Sequence, residues 1–153
     1  MAEWAPPSET MERTLILLKP DAVQKKISGK VIARFEEAGF RIVACKMVEL
    51  SSEILREHYA HIADKPFYPS VEEFMQSAPV IALVLEGDNV IERVREMLGV
   101  TDSAQAAPGT IRAEWGDKTS SNSKMKNIAH ASDSKEAAEA EVKRFFDETE
   151  LCS

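Results

Sequence analysis

The sequence is poor in the residues that announce most ligand chemistries. Only two of its 153 residues are cysteine, too few and wrongly spaced for a disulfide framework or a metal cluster. Cys45 falls inside an apolar strand pattern and is expected in the core, whereas Cys152 is expected as a surface thiol. No apolar run approaches the length of a membrane span. The first ten residues, with Trp4, Pro6 and Pro7, lack the basic start and apolar centre of a signal peptide. A soluble, cytoplasmic protein is therefore expected, with residues 1–11 as a flexible N-terminal segment and residues 12–153 as a single domain. Positive charge is also scarce: 19 Lys and Arg stand against 26 Asp and Glu, a net charge of -7. That balance argues against a general binder of nucleic acid or of acidic membranes, which needs many cationic contacts to phosphate. The six glycines form neither Gly-x-x-x-x-Gly-Lys-Ser/Thr nor Gly-x-Gly-x-x-Gly, so the common glycine-rich phosphate cradles are excluded. Nucleotide chemistry here would have to use side chains and loops.

What is present suits one compact domain, since 44% of the chain is hydrophobic. Residues 13–18 read as a buried strand stopped by Pro20, and residues 30–38 as an amphipathic helix closed by Gly39. A second strand is expected over 40–50, followed by a helix capped at Ser51 and Ser52 that runs to about His61. Further helices are expected over 71–77 and, capped by Asp88, up to Leu98, with a buried strand over 79–85 between them. The last strand is expected near 126–130. This order of elements is compatible with a sheet carrying helices on one face, and the pattern alone also permits an open parallel α/β sheet. Residues 99–126 are rich in Ser, Thr, Gly, Asp and Lys with little periodicity, as in loops that are functional or disordered.

One stretch stands out, Asn127-Ile128-Ala129-His130-Ala131-Ser132-Asp133-Ser134. It sets a histidine just ahead of a helix expected over 134–146, with Asp133 as N-cap and Glu136 as the return half of a capping box. Ala137, Ala138, Val142 and Phe145 share one face of that helix, and Glu141 lies inside the apolar stripe. A carboxylate turned toward a core is costly unless it is paired, and His130 is the candidate partner. The N-terminus of the helix favours an anion nearby, which suits a histidine that attacks phosphorus.

These residues belong to a wider set. The segment NIAHASDS, Lys19-Pro20-Asp21 after an apolar strand and Pro108-Gly109-Thr110-Ile111-Arg112 together resemble the nucleoside diphosphate kinases. So do His58-Tyr59 through Lys65-Pro66-Phe67, the run from Ser77 to Gly87, and Arg95 through Gly99. The likeness runs from about Glu12 to Leu151. It implies an α+β fold, a ferredoxin-like βαββαβ antiparallel sheet with added helices and a long projecting loop. It also implies transfer of the γ-phosphoryl group of a nucleoside triphosphate, typically ATP, to a nucleoside diphosphate, with ping-pong kinetics through a phosphohistidine.

The resemblance assigns roles residue by residue. His130 is the expected nucleophile at Nδ1, and Glu141, directly or with Ser132, orients the imidazole. Lys19 and Asn127 are expected to hold the ribose 3′-hydroxyl and support the phosphoryl group, with Tyr59 closing around the histidine. Arg95, Thr101 and Arg112 are the expected phosphate ligands, and Phe67 is the aromatic on which the base stacks, which predicts loose discrimination among bases. Magnesium is implied as a bridge between phosphate oxygens, with no dedicated protein metal site. Homo-oligomerisation is implied as well, the hexamer favoured over the tetramer. The stretch 116–126 is a few residues longer than usual in the resembling family, and Ala131 stands where many members carry glycine.

Plainer roles exist for each group. His130 could be a structural residue at a strand–helix junction, Lys19 could be an ordinary exposed lysine, Arg95 could pair with Glu92 one turn away, and Phe67 and Tyr59 could be core aromatics. His58 and His61 are spaced for a metal pair but lack a third ligand, so a solvated position is expected for at least one of them. Lys118, Lys124 and Lys126 are expected to be solvated. A nucleotide-binding or scaffolding relative without turnover is the alternative function, and the complete catalytic set argues against it.

Overall fold

The computed structural model describes residues 10–153. Its first strand, β1 (Met11–Leu18), carries Leu15, Ile16, Leu17 and Leu18, all fully buried. A strand buried on consecutive residues must be covered on both faces. The chain continues with α1 (Pro20–Gln24), α2 (Ser28–Glu37), β2 (Arg41–Val48), α3 (Ser52–His58), α4 (Tyr68–Met75), β3 (Val80–Asp88) and α5 (Val90–Leu98). A 3-10 turn at Ser103–Gln105, α6 (Ile111–Trp115), β4 (Ala129–Ala131) and α7 (Lys135–Phe145) follow, with a last 3-10 turn at Glu148–Glu150.

The sheet order is β2-β3-β1-β4, and every neighbouring pair is antiparallel. With α2 and α5 as the connections, β1, β2, β3 and β4 form the ferredoxin-like βαββαβ core, and the open parallel alternative is excluded. Helices cover both faces rather than one. Ile16 and Leu18 pack with Val31, Phe35, Val94 and Leu98, whereas Leu15 and Leu17 pack with Leu55, Phe74, Met75 and Phe145. The additional helices α3, α4 and α7 thus build a second core.

Several local expectations are corrected. Cys45 is exposed, not buried in the core. The register of β2 slips between Ile42 and Ala44, so Val43 and Ala44 are buried in succession and Cys45 turns outward on an edge strand. Asp88 does not cap α5, because it is still paired in β3 opposite Met11 and its carboxylate accepts from the Thr10 hydroxyl at 2.5 Å. The N-cap is Asn89, in the left-handed region at φ 52°. At α7 the cap is Ser134, whose Oγ accepts from the Ala137 amide at 3.0 Å, one residue beyond Asp133.

The aperiodic stretch 99–126 is built from short capped pieces. Asp102 accepts from the Ala104 amide at 3.0 Å, Thr110 from Ala113 at 3.3 Å, and Asp117 from the Thr119 amide at 2.8 Å. The Asp117 amide donates to the Lys126 carbonyl at 2.9 Å and closes the last part of the loop. Of the segment 1–11 expected to be flexible, residues 1–9, Trp4 included, lie outside the described residues, and Met11 is the first residue of β1.

Candidate active site

His130 is the middle residue of β4, paired with Leu17 of β1, and the chain turns from β4 into α7, which brings Glu141 back over the imidazole. Glu141 is 8% exposed, and its Oε1 engages His130 Nε2. The Ser132 hydroxyl donates to the same oxygen at 3.3 Å while accepting from the Leu15 amide at 3.2 Å. The carboxylate stands in the apolar stripe because these two groups offset its lost hydration. An ionised carboxylate can only accept, so the proton of a neutral His130 sits on Nε2 and the lone pair on Nδ1.

Lys19, between β1 and α1, is buried, not an ordinary surface lysine. Its Nζ donates to Asn127 Oδ1 at 2.8 Å and to the Met125 carbonyl at 3.2 Å. Burial, reinforced by the Arg112 charge and opposed by Asp21, lowers its pKa to about 8. Asn127 in turn donates to the carbonyls of Thr101 at 2.9 Å and Lys124 at 3.2 Å. Arg112 extends its guanidinium along the backbone, donating to the carbonyls of Asn127, Gly99 and Ala129 at 3.2, 2.9 and 2.7 Å. Burial and the neighbouring Arg95 lower its pKa to about 10. Gly99 is required there: its φ is 88°, and a Cβ would stand 2.7 Å from the Thr110 hydroxyl. Arg95 reaches the Ala131 carbonyl at 3.4 Å.

Lys19, Tyr59, Arg95, Thr101, Arg112, Asn127, His130 and Glu141 all line one cavity of about 550 Å³. Ser132 lies behind it, fully buried against Glu141. Phe67 does not line the cavity; it stands 54% exposed at the N-cap of α4, which is not the place of a core aromatic. Tyr59 is half-buried, and burial, with Tyr68 and Glu141 nearby, raises its phenol pKa. Lys124, exposed, also lines the cavity, while Lys118 is exposed and Lys126 half-buried.

Two further groups complete the site: His58, which the motifs include without a role, and Arg144, which they do not flag. His58 is buried, with its ring edge-on to His130 at a centroid separation of 4.5 Å, whereas His61 is exposed. Arg144, one helical turn after Glu141, donates to His58 Nδ1 at 2.9 Å and pairs with Glu57 at 3.4 Å. Burial first, then the charges of His130 and Arg144, hold the His58 pKa far below its ordinary value, so it is neutral with its proton on Nε2. The spacing of Arg144 and Glu141 on one face was the available signal for this contact.

The ligating atoms of His58, His130 and Glu141 lie within 4.8 Å of one another, yet they suit a metal poorly. Arg144 occupies one nitrogen of His58, the other carries the proton, and the guanidinium charge opposes a cation. The remaining donors favour an anion: Lys19, Arg95, Arg112, Lys124 and Arg144 face the cavity against Glu141 and Asp133. What the arrangement can do is hold a polyphosphate and present a lone pair on Nδ1 to phosphorus.

Comparison with known proteins agrees with that chemistry. The family model described as nucleoside diphosphate kinase matches residues 12–151. The nucleoside diphosphate kinase of Rhodopirellula baltica is 50% identical over 142 residues, 93% of this chain and 90% of that protein. That of Methanothermobacter thermautotrophicus is 46% identical over 143 residues, covering 94% and 92%. Among solved structures, a transition-state mimic of the Borrelia burgdorferi nucleoside diphosphate kinase with bound vanadate and ADP superposes with a TM-score of 0.88 at 31% identity, covering 95% of this chain and 93% of that one. The Halobacterium salinarum enzyme in complex with CDP superposes with a TM-score of 0.86 at 40% identity, covering 93% and 91%.

Proposed function

Because this chain belongs to the nucleoside diphosphate kinase family, we propose that His130 is the nucleophile of its phosphotransferase reaction. The family's reaction moves the γ-phosphoryl group of a nucleoside triphosphate to a nucleoside diphosphate through a phosphohistidine, and this enzyme catalyses it. The observation that carries the assignment is the Glu141 carboxylate on Nε2, which leaves the lone pair of Nδ1 for attack. As the Nδ1–P bond forms, the bond from phosphorus to the bridging oxygen breaks and the diphosphate leaves with the electron pair. A second diphosphate then attacks the phosphohistidine through a terminal oxygen and restores the imidazole.

In this reading Arg95, Arg112 and Thr101 bind the phosphates, Lys19 and Asn127 support the ribose hydroxyl and the moving phosphoryl group, and Tyr59 bounds the cavity beside the histidines. Glu141, held by Ser132, keeps the imidazole in one tautomer and orientation. Phe67, exposed on α4, offers a face to the base. The lining is dominated by cations and its one buried carboxylate is taken by His130, so it fits Mg²⁺ only as an ion carried by nucleotide oxygens and water. Carried in that way, Mg²⁺ would supply neutralisation of phosphate charge in addition to that of Arg95 and Arg112.

The reading extends to a homo-oligomer, hexamer before tetramer, and to a cytoplasmic location. No helix among the described residues is long and apolar enough to cross a membrane, and edge strand β2 exposes Met47 beside Cys45. Sedimentation in solution tests the assembly.

The deciding experiment mixes the protein with Mg-ATP and weighs it intact. One acid-labile phosphoryl group is expected on the parent and none on His130→Ala. Nucleotide binding without an adduct would favour a non-catalytic nucleotide-binding relative.

A further inference from the structure

Ile128, two residues before His130, has φ 80°, in the left-handed region that β-branched residues avoid. The Ala129 amide donates across it to the Asn127 carbonyl at 3.0 Å, closing a γ-turn of the rare, strained kind. Strain of this type persists only where surrounding groups over-determine it, and it collects at functional sites. Here the clamp is visible. The Ile128 amide donates to Asp21 Oδ2 at 3.0 Å, and its carbonyl accepts from the Lys19 amide at 2.9 Å. From the other side, Arg112 takes the carbonyls of Asn127 and Ala129.

Asp21 is 5% exposed in the first turn of α1, and its Oδ1 has no hydrogen-bond partner among the described residues. A buried carboxylate left half-satisfied is a liability for stability alone. Its Oδ2 nevertheless accepts from the Ile128 amide, at the residue that carries the strain.

We propose that Asp21 is a positioning residue for phosphoryl transfer: by holding the strained turn at Ile128 it fixes, through one segment of backbone, both the Asn127 amide that bears on Lys19 and the reach of His130 toward phosphorus. The inference rests on His130 being the nucleophile. It differs from a charge role, because what the turn requires of Asp21 is an acceptor at Oδ2 and not a negative charge. Burial, moreover, raises the Asp21 pKa and disfavours that charge. The turn also explains why Lys19 and Asp21 flank Pro20. The proline starts α1 at its first position, which places the Asp21 carboxylate on the N–H of Ile128 and the Lys19 amide on its C=O, one on each of the two peptide units that meet at the strained residue.

The test compares the parent with Asp21→Asn, which keeps an acceptor and removes the charge, Asp21→Glu, which keeps the charge and displaces the acceptor, and Asp21→Ala. Formation of the acid-labile adduct from Mg-ATP is timed by rapid quench, and ADP affinity is measured on the same proteins. Because small misplacements of a reacting group are costly, the Glu and Ala variants should form the adduct about 10- to 100-fold more slowly with ADP affinity nearly unchanged, while Asn stays within about threefold of the parent. Should Ala not fold, the Asn and Glu pair carries the comparison. Parental rates in Glu, an Asn variant as slow as Glu, or a loss confined to ADP affinity would overturn the proposal. Absence of an adduct on the parent would overturn the nucleophile assignment instead, so the two failures are distinguishable.

Discussion

At the scale of single residues, the site is a set of buried polar groups whose partners decide their chemistry. Lys19 illustrates it, because burial and Arg112 bring its pKa down to about 8. Its cationic form is therefore present below pH 8 and lost as pH rises through that value, and kcat/KM for nucleotide should show an alkaline limb near pH 8. Stability moves the other way. Between about 8 and the ordinary 10.5 the unfolded chain holds the Lys19 proton and the folded chain does not, so this group makes folding more favourable as pH rises through that window. A pH-rate profile and urea titrations at matched pH check both directions. Glu141 gives a second prediction at this scale. Replacing it with Ala should slow adduct formation by about 10- to 100-fold while leaving the fold intact, since His130 loses its tautomer lock. Parental rates in a rapid-quench experiment would contradict that role.

At the scale of elements, the proposed active residues are held by ends and turns more than by the bodies of helices. Asn127 opens the γ-turn that leads to His130 in β4, Lys19 follows the last residue of β1, Arg112 follows the Thr110 cap of α6, and α7 starts just after its Ser134 cap. Removing the N-cap hydroxyl in Ser134→Ala should cost about 1 kcal/mol, which in a domain of this size lowers Tm by about 2–4 °C. Asp133→Ala, exposed and not the cap, should change stability by no more than about 0.5 kcal/mol. Calorimetry of the two variants separates the observed cap from its neighbour. His58 and Arg144 belong to this scale too, because α3 and α7 meet at the guanidinium that donates to His58 Nδ1 beside His130.

At the scale of the molecule, a chain with a net charge of -7 still gathers Lys19, Arg95, Arg112, Lys124 and Arg144 around one cavity. Mutual repulsion among those cations is relieved when a polyphosphate enters, so nucleotide binding should stabilise the fold strongly. At a Mg-ADP concentration of ~100 times Kd, stabilisation of about 2.7 kcal/mol is expected, read as a rise in Tm. Arg95→Ala should reduce the rise at the same nucleotide concentration.

Much of this was legible in the chain before folding. Hydrophobic periodicity marks β1, α2, β3, α5 and α7 because a buried face imposes its repeat on the sequence. The His130 and Glu141 pair follows from a carboxylate set in an apolar stripe, and the proposed nucleotide ligands follow from ordered motifs that resemble a family. Other features were not legible because they arise between segments distant in sequence. The bulge that turns Cys45 outward depends on the register of β2 against β3. The second helical layer depends on which faces of β1 find cover, and the choice of Asn89 over Asp88 as cap depends on where β3 ends opposite Met11. The placement of His58 against His130 depends on Arg144, 86 residues from it along the chain. Local pattern records the demands that each segment makes on its own backbone and on water. Which distant groups answer those demands is settled only when the sheet closes and brings Asp21, Arg112 and Ile128 into one set of hydrogen bonds.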